Sequence, residues 1–117
     1  MDIETFRDYC MAKKGVTESF PFDDRVLVFK VMNKMFALTN VEEYTGINLK
    51  CDPDRAIELR EQYSEIVPGY HMSKKHWNTV DPHGSLHQDF LKGLIDDSYN
   101  LIVSSLTKKL QAELAAL

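Results

Sequence analysis

Alternating apolar and polar residues predict a sheet in the first half of the chain. The stretch RVLVFKV, residues 25–31, is rich in β-branched and aromatic side chains, and KMFALTN, residues 34–40, repeats that character. Met32 and Asn33 separate the two stretches, and asparagine tolerates the positive φ of a tight hairpin turn. A second turn at residues 42–46 leads into GINLKC. The pattern therefore predicts three consecutive antiparallel strands.

A period near 3.6 residues predicts a helix on each side of these strands. Asp2 is placed to cap the first helix, whose apolar residues recur at i, i+3 and i+7 and which is expected to end at Gly15. Asp52-Pro53 combines an acidic cap with proline at the first helical position, so a second helix is expected to begin there. Pro68-Gly69 is expected to end that helix.

The remainder of the chain predicts one more strand and two more helices. HWNTV, residues 76–80, has strand character, and the turn at residues 81–84 contains both proline and glycine. Ser85 begins a capping-box pattern for the third helix, and Asp97 is expected to cap a fourth. The order α-β-β-β-α-β-α-α predicts an α+β fold. We expect a two-layer sandwich, with helices covering one face of an antiparallel sheet.

Strand alternation divides the side chains of the sheet between its two faces. Met35, Ala37 and Thr39 are expected on the face that the helices cover. The opposite face is predicted to combine lysines with apolar side chains: Lys30, Lys34, Lys50, Val26, Val28, Phe36 and Leu38. An uncovered face of this kind is typical either of a partner-binding surface or of a second small core.

Composition limits the class of protein. The 117 residues, 44% apolar and 27% charged, are expected to form one domain over residues 1–117 with a single modest core. No apolar run approaches the roughly 20 residues that cross a bilayer, and the acidic first residues do not resemble a signal peptide. We therefore expect a cytoplasmic monomer without a membrane partner. Cys10 and Cys51 are expected to be buried thiols.

Charge is unevenly distributed along this acidic chain, whose net charge is −4. The segment PGYHMSKKHWNTV, residues 68–80, contains no acid, whereas residues 51–67 and residues 81–97 each carry a net charge of −3. Lysines contact phosphates, and aromatic rings stack on unpaired bases. The hypothetical nucleic-acid site consists of Lys30, Lys34, Lys50, Tyr70, His71, Lys74, Lys75, His76 and Trp77.

Several segments resemble the MmcQ/YjbR family of small bacterial proteins. The matching pieces are PF at 21–22, VFKV at 28–31, KMFAL at 34–38, LKCDP at 49–53, LRE at 59–61, PGYHMSKKHW at 68–77 and SYNL at 98–101. Asn33 stands where relatives usually carry glycine. The resemblance implies a CyaY-like fold, shared with frataxins, and DNA binding through a double-wing arrangement of hairpins. It implies no catalytic residues.

Metal binding and catalysis are weaker hypotheses. Candidate metal ligands cluster late in the chain, at His71, His76, His83, His87, Asp81 and Asp89, but no pair lies within a known helical motif. His83 and His87 are four residues apart, but the predicted cap at Ser85 separates them. His71 or His76 as a base and Cys51 or a serine as nucleophile are not paired by spacing, and the sequence has no glycine-rich phosphate loop or GxSxG motif. We expect no metal, no cofactor and no enzymatic activity. The expected function is DNA binding, and the alternative is a protein-interaction module that uses the exposed sheet face.

Overall fold

The computed structural model describes residues 1–70 and 72–117, which form one antiparallel sheet and a layer of helices. The elements are α1 (Ile3–Met11), β1 (Val16–Ser19), β2 (Val26–Val31), β3 (Lys34–Asn40), β4 (Ile47–Lys50), α2 (Pro53–Gln62), β5 (Ile66–Pro68), β6 (Trp77–Val80), α3 (Gln88–Ser105) and α4 (Lys108–Ala115). This architecture confirms the predicted α+β class.

The six strands lie in the order β1-β2-β3-β4-β6-β5, and every neighbouring pair is antiparallel. The two edge strands, β1 and β5, were not predicted from the sequence. β1 reads VTES and has only one apolar residue, whereas β5 has three residues and ends at a proline. Short edge strands carry weak patterns because they pair along one side only.

The second helix ends earlier than predicted. Tyr63 already has extended backbone, with φ −124° and ψ 120°, so α2 ends at Gln62 rather than at Pro68-Gly69. The residues in between form β5, whose Ile66 lies opposite Val80 of β6. Pairing with a neighbouring strand therefore overrides the continuation of the helix.

The boundary between the last two helices also differs from the predicted one. α3 continues through Asp97, whose carboxylate lies 3.9 Å from the Arg55 side chain, so the predicted cap there is wrong. The break comes at Thr107, whose side chain accepts a hydrogen bond from the Leu110 amide and caps α4. Ser85 does not cap α3, since its hydroxyl donates to Glu65; the His87 ring accepts from the Asp89 amide instead.

The main core lies between the sheet and the helices. Phe6 of α1 contacts Phe29 of β2 edge-on, with 5.5 Å between ring centroids, and both are fully buried. Cys10 and Cys51 are buried free thiols, as predicted. Burial raises the pKa of the Cys10 thiol to about 12 and also raises the pKa of Cys51, so both thiols are protonated at neutral pH.

A β-bulge reverses part of the predicted alternation. Phe29 pairs with Ala37 and Lys30 with Met35, which leaves Phe36 as an extra residue in β3. Phe36 therefore joins Ala37 in the main core, whereas Met35 packs on the opposite face, and both predictions were wrong. The Ser98 hydroxyl of α3 donates to the Phe36 carbonyl at 2.5 Å, which ties the bulge to the helix layer.

Candidate nucleic-acid interface

The antiparallel sheet brings five lysines to one of its ends, which we call the lysine end. β2 and β4 finish there and β6 begins there, because each strand runs opposite to its neighbour. The β2–β3 hairpin and the turn before β6 lie at this end. The lysines are Lys30, Lys34, Lys50, Lys74 and Lys75.

The β2–β3 hairpin forms as the sequence predicts. Met32 and Asn33 both have positive φ, 49° and 67°, as a two-residue type I′ turn requires. Lys30 pairs with Met35 and projects from the face that the helices leave open. Lys34 pairs with Val31, a main-core residue, so its side chain starts on the helix-covered side. The expectation that Lys34 lies on the open face is therefore wrong, because the bulge shifts the phase of β3.

The other three lysines lie on and beside β4 and β6. Lys50 pairs with Trp77 and projects from the open face, between the inward-facing Leu49 and Cys51. Lys74 and Lys75 are exposed in the turn that leads into β6. The five lysines thus share one end of the sheet but do not all share one face.

Lysines at this end have no carboxylate within 4.0 Å among the described residues. Elsewhere, Arg7 pairs with Glu18 at 2.6 Å and Lys13 pairs with Asp96, whereas Lys108 and Lys109 of α4 also have no carboxylate within 4.0 Å among the described residues. The nearby Asp52 is exposed and accepts a hydrogen bond from the Arg55 amide as the cap of α2. Within residues 1–70 and 72–117, the ammonium groups at the lysine end therefore form no ion pair with a carboxylate.

Arg60 of α2 holds the turn that carries Lys74. Its Nε donates to Asn78 Oδ1 at 2.6 Å, and its Nη2 donates to the Lys74 carbonyl. The turn also closes on itself, since the Trp77 amide donates to the Ser73 carbonyl at 2.9 Å. The lysines of this turn therefore project from a backbone that several hydrogen bonds hold.

The predicted aromatic residues of the loop take separate roles. Trp77 is only 8% exposed and packs with Val28 and Leu38 in a second, small core on the open face. Tyr70 is 70% exposed. His76 is half-buried, and its carbonyl accepts from the Cys51 amide at 2.7 Å. His71 lies outside the described residues. Of these two residues, Trp77 is therefore buried and Tyr70 is exposed.

A groove of about 890 Å³ crosses the open face and was not anticipated. Its floor contains Met35 and Leu38, and the loop residue Met72 closes one side. Phe22, 65% exposed, stands at the rim together with Tyr70. Phe22 and Met72 fall within the PF and PGYHMSKKHW motifs. Their spacing along the chain gave no signal that they would line the same groove.

Two of the candidate metal ligands, His83 and His87, have structural roles. The His83 ring hydrogen-bonds the Tyr44 carbonyl at 2.8 Å and lies edge-on to the Tyr44 ring, whereas His87 caps α3. Within residues 1–70 and 72–117, no three histidine, cysteine or acidic side chains cluster closely enough to hold a metal ion. None of the helices described there has the length and apolar character needed to span a membrane.

Comparison with known proteins places this geometry in a family. The family model YjbR matches residues 11–101. Uncharacterized protein YbdF of Escherichia coli O157:H7 is 39% identical over 91% of this chain and 88% of its own, and Uncharacterized protein YjbR of Escherichia coli K12 is 36% identical over 93% of each. The crystal structure of Deinococcus radiodurans protein DR2400, domain DUF419, superposes with a TM-score of 0.89 at 39% identity, covering 97% of this chain and 87% of that one. The chain belongs to the YjbR family.

Proposed function

We propose that this protein binds nucleic acid through the lysine end of its sheet. The observation that carries the proposal is the convergence there of five lysines without a carboxylate partner among the described residues. A polynucleotide phosphate gains more from an ammonium group that is not already ion-paired, and binding releases condensed counterions. Because the net charge of the chain is −4, attraction to phosphate has to come from a local group of lysines such as this one.

The arrangement of the lysines supports contact along a phosphate backbone. Lys30 and Lys50 project from the same face of β2 and β4, with β3 between them, so their strands are about 10 Å apart. Lys74 and Lys75 extend the row beyond β4, and Lys34 lies at the hairpin. Lysine contacts to phosphate position a polynucleotide without reading its sequence. We therefore expect binding that depends on salt and tolerates different sequences.

Charge reversal tests this proposal. Lys74→Glu combined with Lys75→Glu should weaken binding of a fluorescein-labelled oligonucleotide, measured by anisotropy over a series of salt concentrations. Loss of two phosphate contacts should flatten the slope of log affinity against log salt by about 1.4–1.8. The matched control is Lys108→Glu combined with Lys109→Glu on α4, which changes the net charge equally. Equal losses in the two double variants, or no loss in the first, would contradict the proposal.

A protein partner on the open face is the second candidate function. Phe22 and Val67 leave 65% and 48% of their surface exposed on that side. Affinity capture with and without nuclease separates the two functions. A partner that survives nuclease treatment, and that is released by Phe22→Ser combined with Val67→Ser, would favour the interaction role. A partner lost with nuclease would favour the nucleic-acid role.

A further inference from the structure

We infer that the open-face groove seats unpaired bases, so that the ligand of the lysine end is a single strand rather than a duplex. This inference rests on the proposed function. It identifies the class of nucleic acid from the lining of the groove and from its position beside the lysines.

The groove and the lysines belong to one continuous surface. At the lysine end, the open face carries Lys30 and Lys50, on either side of β3. At the next open-face positions away from that end, Val28 pairs with Leu38, and Leu38 pairs with Asn48. Leu38 and Asn48 line the groove. A phosphate held at the lysines therefore leaves its sugar and base next to the groove.

The lining suits the faces of bases. Met35, Leu38 and Met72 provide an apolar, polarizable surface, and they pack in the small core that contains Trp77. Phe22 and Tyr70, 65% and 70% exposed, stand at the rim. Stacking on accessible aromatic rings is the usual source of sequence-tolerant affinity for single strands.

One polar group in the groove is placed to contact a base edge. The Tyr70 amide donates to Thr79 Oγ1 at 3.0 Å, and the Thr79 hydroxyl in turn donates to Asn48 Oδ1. The oxygen of the Asn48 amide is thereby engaged. Its Nδ2 hydrogens have no acceptor among the described residues, although Asn48 lines the groove. These hydrogens can donate to a carbonyl oxygen on a base.

A charge within the groove orients the bound single strand of nucleic acid. Glu43 lines the groove and belongs to the β3–β4 connection, which lies at the opposite end of the sheet from the lysines. Its carboxylate repels phosphates, so the backbone is favoured at the lysine end while bases project toward the groove. In a duplex the base faces are already stacked and cannot occupy this surface.

The experiment compares a labelled twelve-residue oligothymidine with a duplex of mixed sequence, by anisotropy at fixed salt. The unmodified chain should bind the single strand at least about tenfold more tightly. Phe22→Ser combined with Tyr70→Ser should lower single-strand affinity about tenfold or more, leaving duplex affinity and the salt slope unchanged. Phe20→Ser, at a residue 48% exposed that does not line the groove, is the matched control and should change neither affinity.

The outcomes separate this inference from the proposed function. Lysine-dependent binding that is equal for both ligands, or tighter for the duplex, overturns the inference and leaves the proposed function standing. Equal losses for the two ligands in the Phe22 and Tyr70 double variant also overturn the inference. Absence of any lysine-dependent binding to either ligand overturns both.

Discussion

The two faces of the sheet bury apolar side chains by different means. On the helix-covered face, Phe29, Phe36 and Ile47 are completely buried beneath packed helices. On the open face the buried side chains are Val28, Leu38 and Trp77, which pack with Met72 of the loop between β5 and β6. The first face is a continuous core, whereas the second is a small cluster beside a groove.

This difference shows why apolar residues on an uncovered face need not signal a partner. The loop already covers part of that face, and two contacts help to hold it there. Gly69 lies against Trp77, and Arg60 reaches from the helix layer to the turn. The accessible remainder, with Phe22 and Tyr70 at its rim, is the part that is available for binding. Substitutions on each face can distinguish burial in the main core from burial in the small cluster beside the groove.

The largest change in unfolding free energy should come from substitution at the β-bulge, where the neighbours Met35 and Phe36 lie on opposite faces of the sheet. Phe36→Ala should cost about 3–5 kcal/mol of unfolding free energy, because it removes a fully buried ring from the main core. Met35→Ala should cost less than about 2 kcal/mol, since Met35 is half-buried beside the groove. Urea denaturation measures both. The reverse order would mean that simple alternation, without a bulge, describes β3.

Arg60 connects the two layers, so its removal should loosen the turn on the open face. Arg60→Ala should cost roughly 1.5–3 kcal/mol, because Asn78 then loses the donor to its Oδ1 while its buried Nδ2 has no partner among the described residues. Arg55→Ala, which removes an exposed pair with Asp97, is the control and should cost less than about 1 kcal/mol. Thermal unfolding that does not distinguish the two would refute this role of Arg60.

The same substitution at two glycines should change stability in opposite directions. A Cβ at Gly69 would lie 2.8 Å from the Trp77 Cβ and 3.0 Å from its carbonyl oxygen, so Gly69→Ala should cost roughly 1–3 kcal/mol. At Gly93, inside α3, a Cβ meets nothing within 4 Å, and Gly93→Ala should stabilise by roughly 0.5–1 kcal/mol. Fluorescence of Trp77, the single tryptophan, reports the first change directly. An unshifted emission spectrum in Gly69→Ala would argue against close contact between Gly69 and Trp77.

The smallest change in unfolding free energy should come from breaking the ion pair between Lys13 and Asp96 in the helix layer. Partial burial alone would raise the pKa of Asp96, but hydrogen bonds from Lys13 and Tyr9 hold it below its ordinary value of 3.8. The ionised carboxylate therefore stabilises the fold above about pH 4, and this contribution is lost as the pH falls through the lowered pKa. Asp96→Asn should cost about 0.5–1 kcal/mol at pH 7, since the side chain is 41% exposed.

Denaturation of the wild type and of Asp96→Asn over pH 2–7 tests whether the Asp96 carboxylate stabilises the fold. The difference between wild type and Asp96→Asn should be greatest near neutral pH and should shrink in acid. A difference that grows as the pH falls would show that the carboxylate destabilises the fold.

Local signals in the sequence predicted much of the fold but not its edges. Alternation located β2, β3 and β4, and Asp52-Pro53 marked the start of α2, because these features depend on nearby residues. The polar strand β1 has no comparable pattern and forms because β2 offers backbone hydrogen bonds along its free side. The break at Thr107 was missed because Asp97 has the chemistry of a cap but lies within a continuous helix.

The sequence by itself determined that this protein has an α+β fold, buried thiols, a hairpin at Met32-Asn33 and an acid-free segment containing Lys74 and Lys75. Only the tertiary structure decided which lysines meet and which rings remain accessible. Strand order and one bulge are set by packing between residues distant in the chain, and the bulge alone reverses the faces of Met35 and Phe36. Local patterns cannot specify such contacts, because a one-residue shift in pairing moves a side chain to the other face of the sheet.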